Sequence, residues 1–203
     1  MNKSEVIKHY DMLIDEGNDP VQDSSELQAY MDKWDGTPFI KQLKLTGGED
    51  VLEIGIGTGR IAKKIIHDCR TLTGIDISPK TIYKAKEHLK DANLICGDFL
   101  NYNFDCQFDL IYSSLTFLHF QDKRAIINKL GKIMRDKARA VISLTKDKSD
   151  LLTYGNKSLR LYPSYINNIE RIIKEEELYI SQKIELDKAI ILIISKRKID
   201  SRD

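Results

Sequence analysis

Between Val51 and Arg60 the chain reads Val-Leu-Glu-Ile-Gly-Ile-Gly-Thr-Gly-Arg, and no other stretch constrains the fold as strongly. Val51 to Ile54 reads as a short buried strand. Three glycines at alternate positions, Gly55, Gly57 and Gly59, break it, and a helical pattern begins at Ile61. A strand that turns through glycines into a helix brings bare backbone N–H groups and the positive helix N-terminus against a ligand. Side chains at those positions would block the ligand or clash in the turn. The spacing is G-x-G-x-G, with Glu53 two residues before the first glycine. It departs from the G-x-G-x-x-G of dinucleotide-binding loops.

The remainder of the chain alternates strand and helix in step with this loop. After the loop a helix runs to about Asp68, and Thr71 to Ile77 forms the second strand. Ser78-Pro79 starts a helix, with serine as N-cap and proline in the first turn. Asn93 to Cys96 and Phe108 to Ser113 are the third and fourth strands. Residues 121–135 carry Ile126, Ile127, Leu130, Ile133 and Met134 at helical spacing, and Ala138 to Leu144 is the fifth strand. A helix from about Pro163 to Glu176 precedes two strands, 178–186 and 189–196, joined by Asp187-Lys188. The gap between the fifth strand and that helix is brief, which leaves no room for a large insertion. Alternation of this kind specifies an α/β fold, a mostly parallel sheet with helices on both faces. The closing hairpin requires one antiparallel strand. Residues 1–45 form a polar, acidic prelude with helices expected over 3–15, 24–33 and near 37–44. A helical cap or lid over 1–45 and a main domain over 46–203 follow, as parts of one compact unit.

Composition narrows the function classes. The chain has 203 residues and net charge +1, so no global field holds a polyanion. Its longest apolar run, Ala189 to Ile194, is too short to span a bilayer, and no apolar signal region follows Met1. A cytoplasmic protein is expected. Cys69, Cys96 and Cys106 are scattered without metal-ligand spacing and read as reduced, buried thiols. The dispersed histidines suggest no metal site.

Four features fall at the carboxyl ends of successive strands, the edge where open parallel sheets bind ligands. They are the glycine loop, Asp76 in Gly-Ile-Asp-Ile-Ser78, Asp98 in Cys-Gly-Asp-Phe99, and Ser113 in Phe-Asp-Leu-Ile-Tyr-Ser113. Taken singly each is weak; in this order they resemble the class I S-adenosylmethionine-dependent methyltransferases. The resemblance is widest to small bacterial proteins with a type 11 or type 25 methyltransferase domain. It covers about Glu49 to Leu144, with Ile75-Asp-Ile-Ser-Pro79 and Phe108 to His119 especially similar. It implies a Rossmann-like, seven-stranded sheet of order 3-2-1-4-5-7-6 with strand 7 antiparallel. It implies S-adenosyl-L-methionine as cofactor and S-adenosyl-L-homocysteine as product. Glu53, Gly55, Gly57, Thr58, Gly59, Asp76, Ile77, Asp98, Phe99 and Ser113 are the cofactor-binding positions it implies. Asp76 would accept from the ribose hydroxyls and Asp98 from the adenine amino group, with Phe99 beside the ring and Ser113 near the methyl group.

The expected activity is methyl transfer by in-line displacement to a small-molecule acceptor. His119 is the candidate general base, because histidine titrates near neutrality; a packing or capping histidine at a helix start is the other reading. Tyr10 and Trp34 are candidates for the substrate pocket and lid, and Tyr112 and Tyr30 for its walls or for plain core. Ser-Ser-Leu-Thr116 follows the fourth strand in place of Asn-Pro-Pro-Tyr, which argues against methylation of nucleic-acid bases. The acidic prelude also opposes phosphate-backbone binding. The alternative is a cofactor-binding sensor or partner-binding protein without turnover. Oligomeric state and acceptor identity are not written in the sequence.

Overall fold

The computed structural model describes residues 3–155 and 157–196. Arg197 and Lys198, which with Lys196 make a short basic run after the last strand in the sequence, lie outside the described residues. Seven strands build one sheet: β1 (Asp50–Ile54), β2 (Thr71–Asp76), β3 (Asn93–Cys96), β4 (Phe108–Ser114), β5 (Met134–Thr145), β8 (Tyr179–Glu185) and β9 (Ala189–Ser195). Their order is β3-β2-β1-β4-β5-β9-β8. β1 to β5 pair in parallel, and β9 runs antiparallel to both β5 and β8. With the separate hairpin β6 (Leu151–Tyr154) and β7 (Lys157–Arg160) left out of the count, this is the expected order 3-2-1-4-5-7-6.

The period of two along each strand divides the core into two layers. Leu52, Ile54, Ile111, Ala140, Ile142, Leu192 and Ile194 face one side. There they meet α6 (Lys123–Ile133) through Ile126, Ile127 and Leu130, and α7 (Ile166–Glu175) through Ile169, Ile172 and Ile173. Val51, Leu72, Leu110, Tyr112, Val141, Ile191 and Ile193 face the other. That layer holds α3 (Thr37–Leu43), α4 (Ala62–Ile65) and α5 (Pro79–His88). Caps match the sequence signals. Ser78 accepts from the Thr81 N–H at 3.1 Å with Pro79 behind it, and Asp122 accepts from Ala125 at 2.9 Å.

Several local expectations are corrected. The helix after the glycine loop is only α4, followed by a 3₁₀ turn at Ile66–Asp68. Met134 opens β5 rather than closing α6, because its backbone pairs with Phe108 and its side chain is buried in the sheet. The last helix starts at Ile166, not Pro163. The connection from β5 to α7 is not featureless: it contains the β6–β7 hairpin, turning at Gly155 with φ +56°. Cys96 and Cys106 are exposed rather than buried, and Cys69 is half-buried.

The N-terminal segment is not uniform either. α1 (Lys3–Asp15) and α2 (Ser25–Asp35) lie over the sheet's carboxyl edge, but α3 belongs to the core, with Phe39 and Leu43 fully buried among Val51 and Ile65. Its many acids dock it. Ser78 Oγ donates to Asp11 at 2.6 Å, Lys80 pairs with Asp15 at 2.5 Å, and His88 meets Asp19 at 2.7 Å. The acidic prelude and the basic face of α5 are therefore complementary surfaces of one molecule.

Candidate active site

The glycine loop leaves β1 tied to β2: the Gly55 and Ile56 N–H groups both donate to the Ile75 carbonyl, at 2.8 and 3.2 Å. The three glycines then serve different ends. A Cβ at Gly55 would fall 2.1 Å from Thr116 Oγ1, and one at Gly59 would fall 2.5 Å from Leu89 Cδ1. Gly59 thus seats the loop against Leu89, just past the end of α5. It is not on the cavity wall, which corrects its expected place among the ligand contacts. At Gly57, φ is +58° and a Cβ would meet nothing within 4 Å. Its open side belongs to a cavity at the strand ends, walled also by Glu53, Gly55 and Thr58.

Asp76 and Ile77, at the end of β2, and Asp98 and Phe99, just after β3, line the same cavity. Asp76 is held rigidly: Gly57 N–H donates to its Oδ2 and Ser78 N–H to its Oδ1, each at 3.0 Å. Burial pushes its pKa up against those bonds. Asp98 accepts from Asn101 Nδ2 at 2.6 Å and pairs with Lys3 of α1, also at 2.6 Å. Glu53 is buried beneath the loop, where Tyr112 donates to its Oε2 at 2.7 Å. Burial pushes Glu53 up to about 8, so it is protonated at neutral pH. Tyr112 is a fully buried core residue against Phe39 and is not a pocket wall.

Ser113 is corrected as well. Its buried hydroxyl donates to the Ile54 carbonyl at 3.0 Å, and it does not reach the cavity. Successive strand residues point to opposite faces, so Ser114 occupies the wall instead.

His119 ends the 3₁₀ turn Phe117–His119 after β4 and lines the cavity with its neighbour Phe120. Its Nε2 lies 2.7 Å from the Tyr10 hydroxyl, with the two rings edge to face at 5.4 Å. Its Nδ1 is buried without a partner. Burial, reinforced by His9 and Lys123, lowers its pKa to about 4, so the ring is neutral at physiological pH. The Tyr10 phenol is pushed well above its ordinary value by burial and by Asp76, and stays a hydroxyl. Tyr10 therefore roofs the cavity from α1, with Val6 beside it. Trp34 does not line it. Its indole donates to Thr145 Oγ1 at 3.3 Å, stacks edgewise on Tyr30, and anchors α2 over the end of β5.

The sequence reading missed Met31 and Asp35 of α2, Arg60 of the loop, and Ser114 and Thr116 after β4. Arg60 and Asp35 form an ion pair on the wall, with side chains 11% and 0% exposed. No signal separated Asp35 from the other acids of the prelude; only the fold buries it.

Comparison with known proteins agrees with this architecture. Residues 52–142 match the methyltransferase domain family. Over that span, which is less than half of the chain, it is similar to type 11 methyltransferase domains, and its fold is the Rossmann-like fold of the solved methyltransferase structures. Among curated relatives, an uncharacterised methyltransferase of Anoxybacillus flavithermus is 34% identical over 122 residues, 58% of either chain. A demethylmenaquinone methyltransferase of Thermotoga maritima is 35% identical over 97 residues, 46% of this chain and 42% of the relative. The chain thus spans about half the length of the curated relatives it matches. A magnesium protoporphyrin IX methyltransferase of Synechocystis with bound S-adenosylhomocysteine superposes with TM-score 0.75 at 17% identity, over 97% of this chain and 100% of its own.

The residues present fit such a cofactor. Gly57 leaves open space where a side chain would stand, and wall residues, Asp35, Arg60 and His119 among them, carry a buried polar atom without a partner. Bare backbone and unmet polar atoms around one cavity are what a polar ligand completes. Among the described residues no cluster suited to a metal ion occurs, and no helix is long and apolar enough to cross a membrane.

Proposed function

We propose that the protein is an S-adenosylmethionine-dependent methyltransferase acting on a small-molecule acceptor. The observation that carries this reading is the convergence of the open Gly57 backbone, Asp76 and Asp98 on one cavity at the carboxyl ends of β1, β2 and β3. Asp76 would accept from the ribose, and Asp98 and Phe99 would border the adenine, with Gly55, Thr58 and Ile77 lining the same cavity. When bound, the cofactor supplies an electrophilic methyl group on a sulfonium.

The chain's own contribution is alignment and exclusion of water, which in well-oriented systems is worth roughly 7–11 kcal/mol of barrier. Val6, Met31 and Phe120 give the cavity an apolar lining near α1 and α2. Among the described wall residues the only arginine or lysine is Arg60, and Asp35 already neutralises it. Glu53 and His119 are uncharged at neutral pH. Such a wall suits an uncharged acceptor better than an anion. His119 stays neutral, and we read it as the candidate base through Nδ1, the ring nitrogen that the Tyr10 contact leaves without a partner. α1 and α2 act as the lid, on a core that begins with α3. The relative named for demethylmenaquinone supports an acceptor other than nucleic acid.

Calorimetric titration with S-adenosylhomocysteine and with NAD tests the reading. Binding of the first and not the second is expected. Tight NAD binding with no response to S-adenosylhomocysteine would overturn it.

A further inference from the structure

Lys129, in the middle of α6, directs its ammonium at the loop between β3 and β4. Its Nζ donates to the Leu100 carbonyl at 3.1 Å and to the Tyr102 carbonyl. It also lies over the Phe99 ring at 5.2 Å and the Phe104 ring at 5.6 Å. Burial lowers the pKa of this ammonium, and the negative charge of Asp98 opposes that shift.

The same loop carries two wall residues of the cavity, Asp98 and Phe99. Residues 97–107 form neither helix nor strand, so no ladder holds them to the sheet. The Asn101 and Tyr102 N–H groups close a turn on the Asp98 carbonyl, at 3.0 and 2.9 Å. Leu100 N–H and Asn101 Nδ2 tie the Asp98 carboxylate into that turn, at 3.2 and 2.6 Å. All of these bonds lie within the turn. They give it a shape but do not fix its place. Lys3, 2.6 Å from Asp98, reaches it from the roof. Phe104 packs edgewise on Phe108 of β4 at 5.5 Å, a contact that buries the rings without directing them. Lys129 adds what these contacts lack: directed bonds from a packed helix to two backbone carbonyls of the loop.

Direction matters most for recognising a base. An amino group donates to a carboxylate, whereas a keto oxygen in its place would set acceptor against acceptor. A carboxylate that is free to shift can turn away from that mismatch, and so loses selectivity as well as affinity.

We propose that Lys129 is a positioning residue for base selection: by pinning Leu100 and Tyr102 it holds Asp98 and Phe99 where an adenine is accepted and a 6-oxopurine refused. This rests on the methyltransferase reading and extends it to α6, no residue of which lines the cavity.

Calorimetry with S-adenosylhomocysteine and with its 6-oxo analogue, S-inosylhomocysteine, tests the proposal. The wild-type protein should prefer S-adenosylhomocysteine by at least about tenfold. Lys129→Met keeps an apolar stem and removes the ammonium. It should reduce the preference to within about threefold, mainly through weaker S-adenosylhomocysteine binding. Lys129→Gln, a second variant that retains a donor but no charge, should lower the preference too. Measurable binding of the analogue reports that each variant is folded. Variants that keep the full wild-type preference, or weaken both ligands by one factor, would make Lys129 a prop of the core and overturn the proposal while leaving the cofactor reading intact. Equal binding of both ligands by the wild-type protein would overturn it as well, since Asp98 would then not read the base. If the wild-type protein binds neither ligand, the cofactor reading itself fails.

Discussion

Asp76 and Asp98 both sit at strand ends in one cavity, but their partners differ, and so should their variants. Asp76 is fixed by two backbone N–H groups, from Gly57 and Ser78, and its remaining lone pairs are available to a ligand. Asp98 is already engaged by Lys3 and Asn101. Asp76→Ala should weaken S-adenosylhomocysteine binding by the larger factor, since each charge-assisted bond lost is worth roughly 1.5–3 kcal/mol. Equal, negligible losses in a titration of both variants would contradict the assignment. His119 carries a pH signature. Its folded value of about 4 lies below the unfolded 6.5, so burial favours the neutral ring. The stability tied to this is intact above pH 6.5 and is lost as pH falls through 4, up to roughly 3 kcal/mol. His119→Asn should flatten this part of the acid limb of a denaturation series. An unchanged acid limb would show that the ring titrates normally. These residue roles were legible to differing degrees. The positions of Asp76 and Asp98 on the cavity followed from spacing, because strand ends are set by the local pattern, while their roles came from the resemblance. Ser113 failed by one position, because the face of a strand end is decided by register with Ile54, which a motif does not encode. Asp35 was invisible, because burial of an acid depends on what packs over it.

The elements divide between a core set by hydrophobic period and a roof held by charge. The strands could be read from their compact apolar runs, and α5 from its cap at Ser78-Pro79, whereas the order of the sheet came from the resemblance, since spacing alone does not give it. The β6–β7 hairpin could not be read. Leu151, Leu152 and Tyr154 on it are exposed, so no buried face announces a strand. α3 was grouped with the acidic prelude by neighbourhood, yet Phe39 and Leu43 make it core. α1 is held differently. Beyond Val6, it docks mainly through Lys3, Tyr10, Asp11 and Asp15, partners that water can replace. Hydrogen exchange should show α1 and α2 opening far more readily than β1 or β4, with protection around Tyr10 to Trp34 rising on addition of S-adenosylhomocysteine. α3 should stay protected with and without ligand. Equal protection of α1 and β1 in the absence of ligand would make the roof a permanent layer and not a lid.

For the molecule as a whole, the sheet, the cavity and the roof describe a site whose wall at neutral pH holds a neutral Glu53, a neutral His119 and a self-neutralised Asp35–Arg60 pair. A cofactor-binding sensor would share the cavity but has no need of a buried histidine paired to the roof through Tyr10. Turnover is therefore the property that separates the central claim from its alternative. The decisive measurement is transfer of a labelled methyl group from S-adenosylmethionine to components of a small-molecule metabolite extract by the full chain. The account predicts label in at least one small organic product, formed with stoichiometric S-adenosylhomocysteine and diminished in His119→Asn. Tight binding of S-adenosylmethionine with no labelled product from any extract would contradict it and identify the protein as a binding module.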